Sequence, residues 1–386
     1  MHVLHFLPVY APAWQFGGPV LSVSRMCEGL ASCGVQVSVI TTNAGLPSFP
    51  ESSLGISQVI NGVNVTYYPS ESRLGQIWST DLIKNLPTHL AGVDLVHLSS
   101  IWQPLGIEVQ KYAHIHNKPI IQTPRGALGP YSLRHGWWKK IPYYFLRELP
   151  YLTKATAIHF TSLQEQQEAA PLYLSTPSFV LPNYVDLSQL YTDKSQRLKF
   201  RSQLQLAENA TLFVVVGRLH HKKGLNILPG IFRKLPSGRW HILFIGSQDD
   251  QTASQLKHSF SNANLLSHTT FMDTVPAADL LSAYNAADWL LLPSLHENFG
   301  NVVPEALSCG CGVVISDQVG SARDIADCPG TFILPRVADS WVNQLNDCMS
   351  LSRPGKASET WINEYFSSEN LSHRLLRHYQ GVLVNA

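Results

Sequence analysis

Two acidic residues, Glu297 and Glu305, stand in the stretch PSLHENFGNVVPEALSCGCGVVISD with seven residues between them. An apolar run, Trp289 to Leu292, leads in, and another, Gly312 to Ser316, leads out. Ionised carboxylates only accept hydrogen bonds, so a pair of them suits a ligand rich in hydroxyls. Gly300 marks the end of a loop, and Pro304 fits the first turn of a helix, where its missing N–H is harmless. A helix is therefore expected to start near Asn301 to Val303. Glu305 then lies in its first turn, where the helix dipole favours an anion. One acid in the loop and one at the helix entrance would bracket the backbone N–H groups of residues 299 to 303. That pattern suits a phosphate flanked by two polyols, which is the shape of a nucleotide sugar. The same residues also fit an exposed Glu297 and a Glu305 that only supports its helix.

A second stretch, VVVGRLHHKKGLNIL (residues 214 to 228), joins an apolar strand to basic residues. Arg218 follows the strand at its carboxyl end, where doubly wound sheets bind ligands. Lys222 and Lys223 come next, before Gly224 and an apolar helical stretch. Arg offers a planar fork and Lys a mobile point charge, and a helix start adds amide donors. Together they make a diphosphate clamp; taken alone they are equally a set of solvated surface cations.

The elements that must hold these residues follow from the apolar pattern. HVLHFLP, VQVSVITT, DLVHLSS, KPIIQTP and AIHFTS read as buried strands in the first half, separated by amphipathic stretches such as Val20 to Ser32. TLFVVVGRL, WHILFIGS, ADWLLLPS and CGVVISD repeat the alternation in the second half. Strands alternating with helices predict βαβ units and mainly parallel sheets. The expected fold class is α/β, with two doubly wound domains facing across a cleft. The boundaries are expected at 1–184 and 185–365, with 366–386 as a C-terminal helix returning toward the N-terminal domain.

The chain has 386 residues, 45% hydrophobic and 14% charged, enough apolar material for two cores. A net charge of +1 gives no electrostatic case for nucleic acid binding. The six cysteines show no C-x-x-C pair or zinc spacing, so free buried thiols in a cytoplasmic protein are expected. No basic, apolar leader opens the sequence, and no apolar run approaches the ~18 residues of a spanning helix. No D-x-D pair is present. D-x-D pairs can hold a divalent ion on a diphosphate, so their absence, beside Arg218 and Lys223, leads to the expectation that no metal is needed.

HENFGNVVPEALSCGCGVVISD resembles the E-x7-E region of the GT-B retaining glycosyltransferases of family 4. VVGRLHHKKGLNIL resembles their Arg and Lys-Gly phosphate segment, VLPNYVDLSQL their interdomain segment, and FGGPVLSVSRMCEGLASCGVQVSVITT their N-terminal Gly-Gly loop and helix. The likeness runs nearly the whole chain in the right order. It implies a retaining hexosyltransferase that moves a sugar from a nucleotide-sugar donor to a glycan or lipid-linked acceptor, with no cofactor. By the resemblance, Arg218 and Lys223 bind the donor diphosphate, Glu297 holds the transferred sugar and Glu305 the ribose. Phe299, Gly300, Asn301 and Val302 supply backbone contacts, and Gly17 and Gly18 let a loop approach the phosphates.

There are departures. Many members carry a His at the cleft end of an N-domain strand, where this chain reads QTPRGALGP, with Arg125 and Gly126. Arg125 then becomes a donor or acceptor contact. His97 ends another strand and is an acceptor-side candidate, or a structural histidine. Residues 134 to 152, RHGWWKKIPYYFLRELPYL, mix aromatic and basic side chains. They fit a peripheral contact with the inner face of a membrane, or an ordinary helix with one buried face. An epimerase or phosphorylase on the same fold, and a noncatalytic sugar-nucleotide binder, remain alternatives.

Overall fold

The computed structural model describes residues 1–384 except 100, 135, 208, 249 and 250. The chain forms two compact units: Met1–Val185 with the segment from Ser368 onward, and Asp186–Ser367.

In the first unit the main sheet holds β1 (His2–Val9), β2 (Gln36–Thr42), β3 (Ser57–Ile60), β4 (Val63–Tyr68), then β7 (Leu95–Ser99), β8 (Ile120–Thr123), β9 (Ala157–Phe160) and β10 (Ser178–Val180). A separate hairpin is made of β5 (Glu71–Arg73) and β6 (Gln76–Trp78). The sheet order is β10-β9-β8-β7-β1-β2-β4-β3, parallel except where β3 meets β4. The chain leaves β1 toward β2 and β4, then returns to β7 and proceeds the other way. The reversal between β1 and β7 is a topological switch point. Pro8 cannot donate to the ladder, and the register of β1 against β2 shifts between Phe6 and Val9.

The second unit has β11 (Thr211–Val216), β12 (Trp240–Ile245), β13 (Thr269–Met272), β14 (Trp289–Leu292), β15 (Gly312–Ser316) and β16 (Thr331–Leu334). Its order, β13-β12-β11-β14-β15-β16, is parallel throughout, with the switch point between β11 and β14. β11, β14 and β15 are buried along their whole length. That is why they read as continuous apolar runs. The Asp288 carboxylate, just before β14, takes Arg197 at 2.6 Å and Arg201 at 3.2 Å, fixing the helix Lys194–Gln203 to the sheet.

The helix Gly18–Ser32 buries Val20, Val23, Met26, Cys27 and Leu30 at helical spacing. It packs beside the C-terminal helix Ser368–Val384, whose Leu371, Leu375, Tyr379 and Val382 join the same core. Cys27, Cys309, Cys311, Cys328 and Cys348 are buried free thiols, and Cys33 is a half-buried one.

A polar seam runs inside the first unit. The His159 Nε2–H donates to the Leu181 carbonyl at 2.9 Å, so its Nδ1 accepts from the Thr123 hydroxyl at 3.1 Å. Thr123 in turn accepts from His97 Nε2 at 2.7 Å, and His97 Nδ1 accepts from the Tyr379 hydroxyl at 2.6 Å. Phe179 stacks on both His159 and His378, binding the C-terminal helix to the sheet edge. Burial lowers His5 and His97 well below the usual histidine range and His159 to about 3. All three therefore stay neutral. An unfolded histidine takes up a proton below about pH 6.5, whereas the native His159 refuses it until about pH 3. Stability must fall as pH drops through this window, and for His159 the fall between pH 7 and pH 5 is about 2 kcal/mol. Equilibrium urea unfolding of His159→Asn is expected to show a loss at pH 7 but a pH 7-to-5 difference smaller by about 2 kcal/mol. A difference equal to that of the wild type would contradict a neutral buried His159.

Candidate functional site

β11 and β14 are neighbours at the switch point of the second unit, and their carboxyl ends open into two loops. The first follows Val216 and the second follows Leu292. The Leu295 amide donates to the Lys222 carbonyl at 2.8 Å, which ties the loops together. Arg336 braces both, donating to the Pro293 carbonyl at 2.9 Å and the Gly224 carbonyl at 3.4 Å. The approach is so close that a Cβ on Gly224 would stand 2.2 Å from the Pro293 oxygen. Only glycine fits there.

This junction brings Lys223 and Glu297 together. The Lys223 Nζ donates to Glu297 Oε2 at 2.5 Å, with the side chains 19% and 24% exposed. Glu297 is held through its backbone as well. Its amide donates to the Gln318 carbonyl at 3.0 Å, and its carbonyl accepts from the Gly320 amide at 2.8 Å. The Ser321 amide adds a bond to the Phe299 carbonyl at 3.0 Å. The loop then turns at Gly300, whose φ of +85° disfavours any side chain. The helix Val302–Ser308 starts there, with Asn301 at its N-cap. The Phe299 side chain is buried and packs toward Phe366, so its ring serves the core.

Glu305, in the first turn of that helix, accepts a hydrogen bond from the Tyr284 hydroxyl at 2.9 Å. Burial pushes the Glu305 carboxyl up, while the Tyr284 hydroxyl and the Lys223 charge pull it back. Lys223 therefore acts on both acids: by contact on Glu297, through space on Glu305. The Tyr284 phenol, raised well above its usual range by burial and then by Glu305, stays a donor. Arg218 sits immediately beyond β11 with an exposed side chain and no ion pair among the described residues. The structure thus brings Arg218, Lys223, Glu297, Gly300, Asn301, Val302 and Glu305 to the ends of two adjacent strands and one helix.

The remaining candidates lie in the first unit. Gly17 follows a short turn and has φ +81° and ψ −152°, a conformation open to glycine. Gly18 begins the helix Gly18–Ser32, and both residues are exposed. Arg125, past the end of β8, has φ +54° and donates to Asn183 Oδ1 at 3.0 Å and Ser99 Oγ at 3.3 Å. Burial brings its pKa down to about 10, opposed by the Glu165 carboxylate, so it keeps its charge at neutral pH. His97 differs from the expectation of a cleft-lining residue. Its side chain is wholly buried and both ring nitrogens are engaged, by Tyr379 and Thr123. A histidine in the middle of a sheet points into the covering layer rather than past the strand end.

The Glycosyl transferases group 1 family matches residues 196–364, and Glycosyltransferase Family 4 matches residues 16–189. The D-inositol 3-phosphate glycosyltransferase of Paenarthrobacter aurescens (strain TC1) is 30% identical over 376 residues, spanning 89% of this chain and 87% of that protein. The chain belongs to the family 4 glycosyltransferases. The 2-deoxystreptamine glucosyltransferase of Streptomyces kanamyceticus is 23% identical, spanning 94% of this chain and 98% of that protein. Among solved structures, Anabaena HepE in complex with UDP matches with a TM-score of 0.77 at 18% identity, covering 99% and 100% of the two chains. Sucrose-phosphate synthase from Thermosynechococcus elongatus matches with a TM-score of 0.72 at 18% identity, covering 100% of each chain. These likenesses give the family 4 chain a GT-B fold.

Sequence reasoning missed two parts of this candidate site. Tyr284 lies far from the E-x7-E stretch along the chain, inside an ordinary amphipathic helix, Ala277–Ala286. The segment 318–321 makes its hydrogen bonds to Glu297 and Phe299 through its backbone, and such bonds leave no side-chain signature.

Proposed function

We propose that this glycosyltransferase moves a hexosyl group from a UDP-sugar to a glycan or lipid-linked glycan, with retention of anomeric configuration and without a divalent metal. The observation that carries the reading is Lys223 paired with Glu297, its charge also acting on Glu305, at the switch point of the second unit. The uridine base is proposed because Anabaena HepE is described in complex with UDP and with UDP-glucose. Glycan or glycolipid synthesis fits relatives such as the GPI3 subunit of the phosphatidylinositol N-acetylglucosaminyltransferase of Saccharomyces cerevisiae.

In this reading Arg218 and Lys223 hold the donor diphosphate, and the backbone of Phe299, Gly300, Asn301 and Val302 lines it. Glu297 accepts from the hydroxyls of the transferred sugar and Glu305 from the ribose. Gly17, Gly18 and Arg125 are assigned to donor contacts on the family resemblance. His97 is assigned a positioning role through Thr123 and Tyr379. The bond from the anomeric carbon to phosphate breaks while the acceptor oxygen bonds to that carbon on the same face. The acceptor's proton passes to the departing phosphate oxygen. The cations stabilise the charge that develops there. They stand where a metal would otherwise be needed.

The test is nucleotide release from UDP-, GDP-, ADP- and dTDP-linked sugars by the whole chain, with and without chelator. Release of UDP alone, unchanged by chelator and lowered about a hundredfold in Lys223→Met, is the expected outcome. Activity that vanished with chelator and returned with Mg²⁺ or Mn²⁺ would contradict the metal-free reading. Conversion of the donor without nucleotide release would mark an epimerase.

A peripheral membrane contact is proposed for residues 134–152, of which residue 135 lies outside the described residues. The helix Trp137–Tyr143 and the turn Tyr144–Glu148 expose Trp137, Trp138, Phe145 and Leu146 beside Lys139 and Arg147. Aromatic and basic side chains together suit an anionic lipid surface. No helix among the described residues is long and apolar enough to cross a membrane. Flotation with anionic liposomes is expected, and its loss in Trp137→Ser/Phe145→Ser; a chain that stays at the bottom of the gradient would contradict the contact.

A further inference from the structure

The first unit contains a pocket of about 430 Å³, lined by Arg73, Gln76, Trp78, Glu108, Tyr143 and Arg147 among others. None of these residues belongs to the donor site. The size lies in the range of small-ligand pockets, ~300–1,000 Å³. Its walls come from three elements: the β5–β6 hairpin, the helix Pro104–Ile115, and the region where the helix Trp137–Tyr143 passes into the turn Tyr144–Glu148.

Each wall is fixed. Glu71 accepts from both the amide and the hydroxyl of Thr80 at 2.9 Å, anchoring the hairpin to the helix Thr80–Leu90. Arg73 lies over the Trp78 ring at 4.7 Å, which orients its guanidinium. On the wall formed by residues 137–148, Glu148 accepts from the Trp102 amide at 2.8 Å, and the Trp102 indole donates to the Ala127 carbonyl at 3.2 Å. Tyr143 packs 6.0 Å from Trp102.

The charges in the pocket do not cancel. Neither Arg73 nor Arg147 has an ion pair among the described residues, whereas Glu108 is already shared with Lys111 at 3.6 Å. The Tyr143 hydroxyl is buried without a hydrogen-bond partner. Burial, then the nearby Glu148, pushes that phenol up to about 12, so it remains a donor. Two guanidinium forks, a phenol donor, an amide side chain and an indole are the groups that recognise a ring with hydroxyls and a carboxylate.

We propose that this pocket is an acceptor subsite for an acidic sugar, a pyranose bearing a carboxylate. Arg73 and Arg147 pair with the carboxylate, Gln76 and Tyr143 bond the hydroxyls, and Trp78 supplies the apolar wall. The proposal rests on the glycosyltransferase reading above and names the chemistry of its acceptor.

The test is calorimetry on the whole chain with tri-galacturonate, maltotriose and inorganic phosphate as probes. Tri-galacturonate is expected to bind at least tenfold more tightly than maltotriose or phosphate. Arg147→Glu, an exposed position, and Trp78→Ala are each expected to weaken it at least tenfold. Equal affinity for the neutral trimer, equal affinity for phosphate, unchanged binding in Arg147→Glu, or no binding of tri-galacturonate would each overturn the proposal. UDP binding to the wild-type chain is measured alongside. Its presence without tri-galacturonate binding removes the subsite alone, and its absence removes the donor reading.

Discussion

The contact between Lys223 and Glu297 is the constraint around which the second unit is arranged. An ammonium and a carboxylate in direct contact need a firm frame, because neither side chain is rigid by itself. The frame is two adjacent parallel strands whose loops are bonded to each other, braced by Arg336 and closed at Gly224. Glu297 is further clamped by the backbone of 318–321. The result is a cation whose charge is shared by two acids but whose hydrogen bond goes to one. In the proposed reading this cation exchanges its carboxylate for the donor diphosphate, which carries more charge.

The first unit solves a different problem. Its sheet is joined to the C-terminal helix not only by apolar packing but through Tyr379, His97, Thr123 and His159 in one hydrogen-bonded series. The donor order along that series follows from the single backbone bond at Leu181. Neutral histidines suit this role, since each offers one donor and one acceptor. The same burial that makes the series specific makes it sensitive to acid.

Much of this was legible in the sequence, and the reasons are physical. The central strands are covered on both faces, so TLFVVV, WLLL and GVVIS stand out as apolar runs. The helix entrance at Asn301 to Val303 was readable from Gly300 and Pro304, two residues with narrow backbone requirements. The edge strands β13 and β16 were not readable, because TTFM and TFIL are short and only half-buried. The hairpin β5–β6 turns at Leu74 and Gly75, both with positive φ, and a leucine gives no turn signal there. His97 sits in a strand that the sequence showed correctly, yet the direction of its side chain was not legible. The pocket beside Trp78 was not visible either, since its walls meet only in three dimensions.

The most direct measurement of the central claim is the affinity of Glu297→Gln for UDP and for UDP-glucose, each compared with the wild type. If Glu297 competes for Lys223 and holds the transferred sugar, UDP alone binds the variant at least as tightly. UDP-glucose then loses its advantage over UDP by about tenfold, the size of one charge-assisted hydrogen bond. Equal weakening of both ligands would contradict the account, because Glu297 would then be supporting the loop and not dividing its work between the lysine and the sugar.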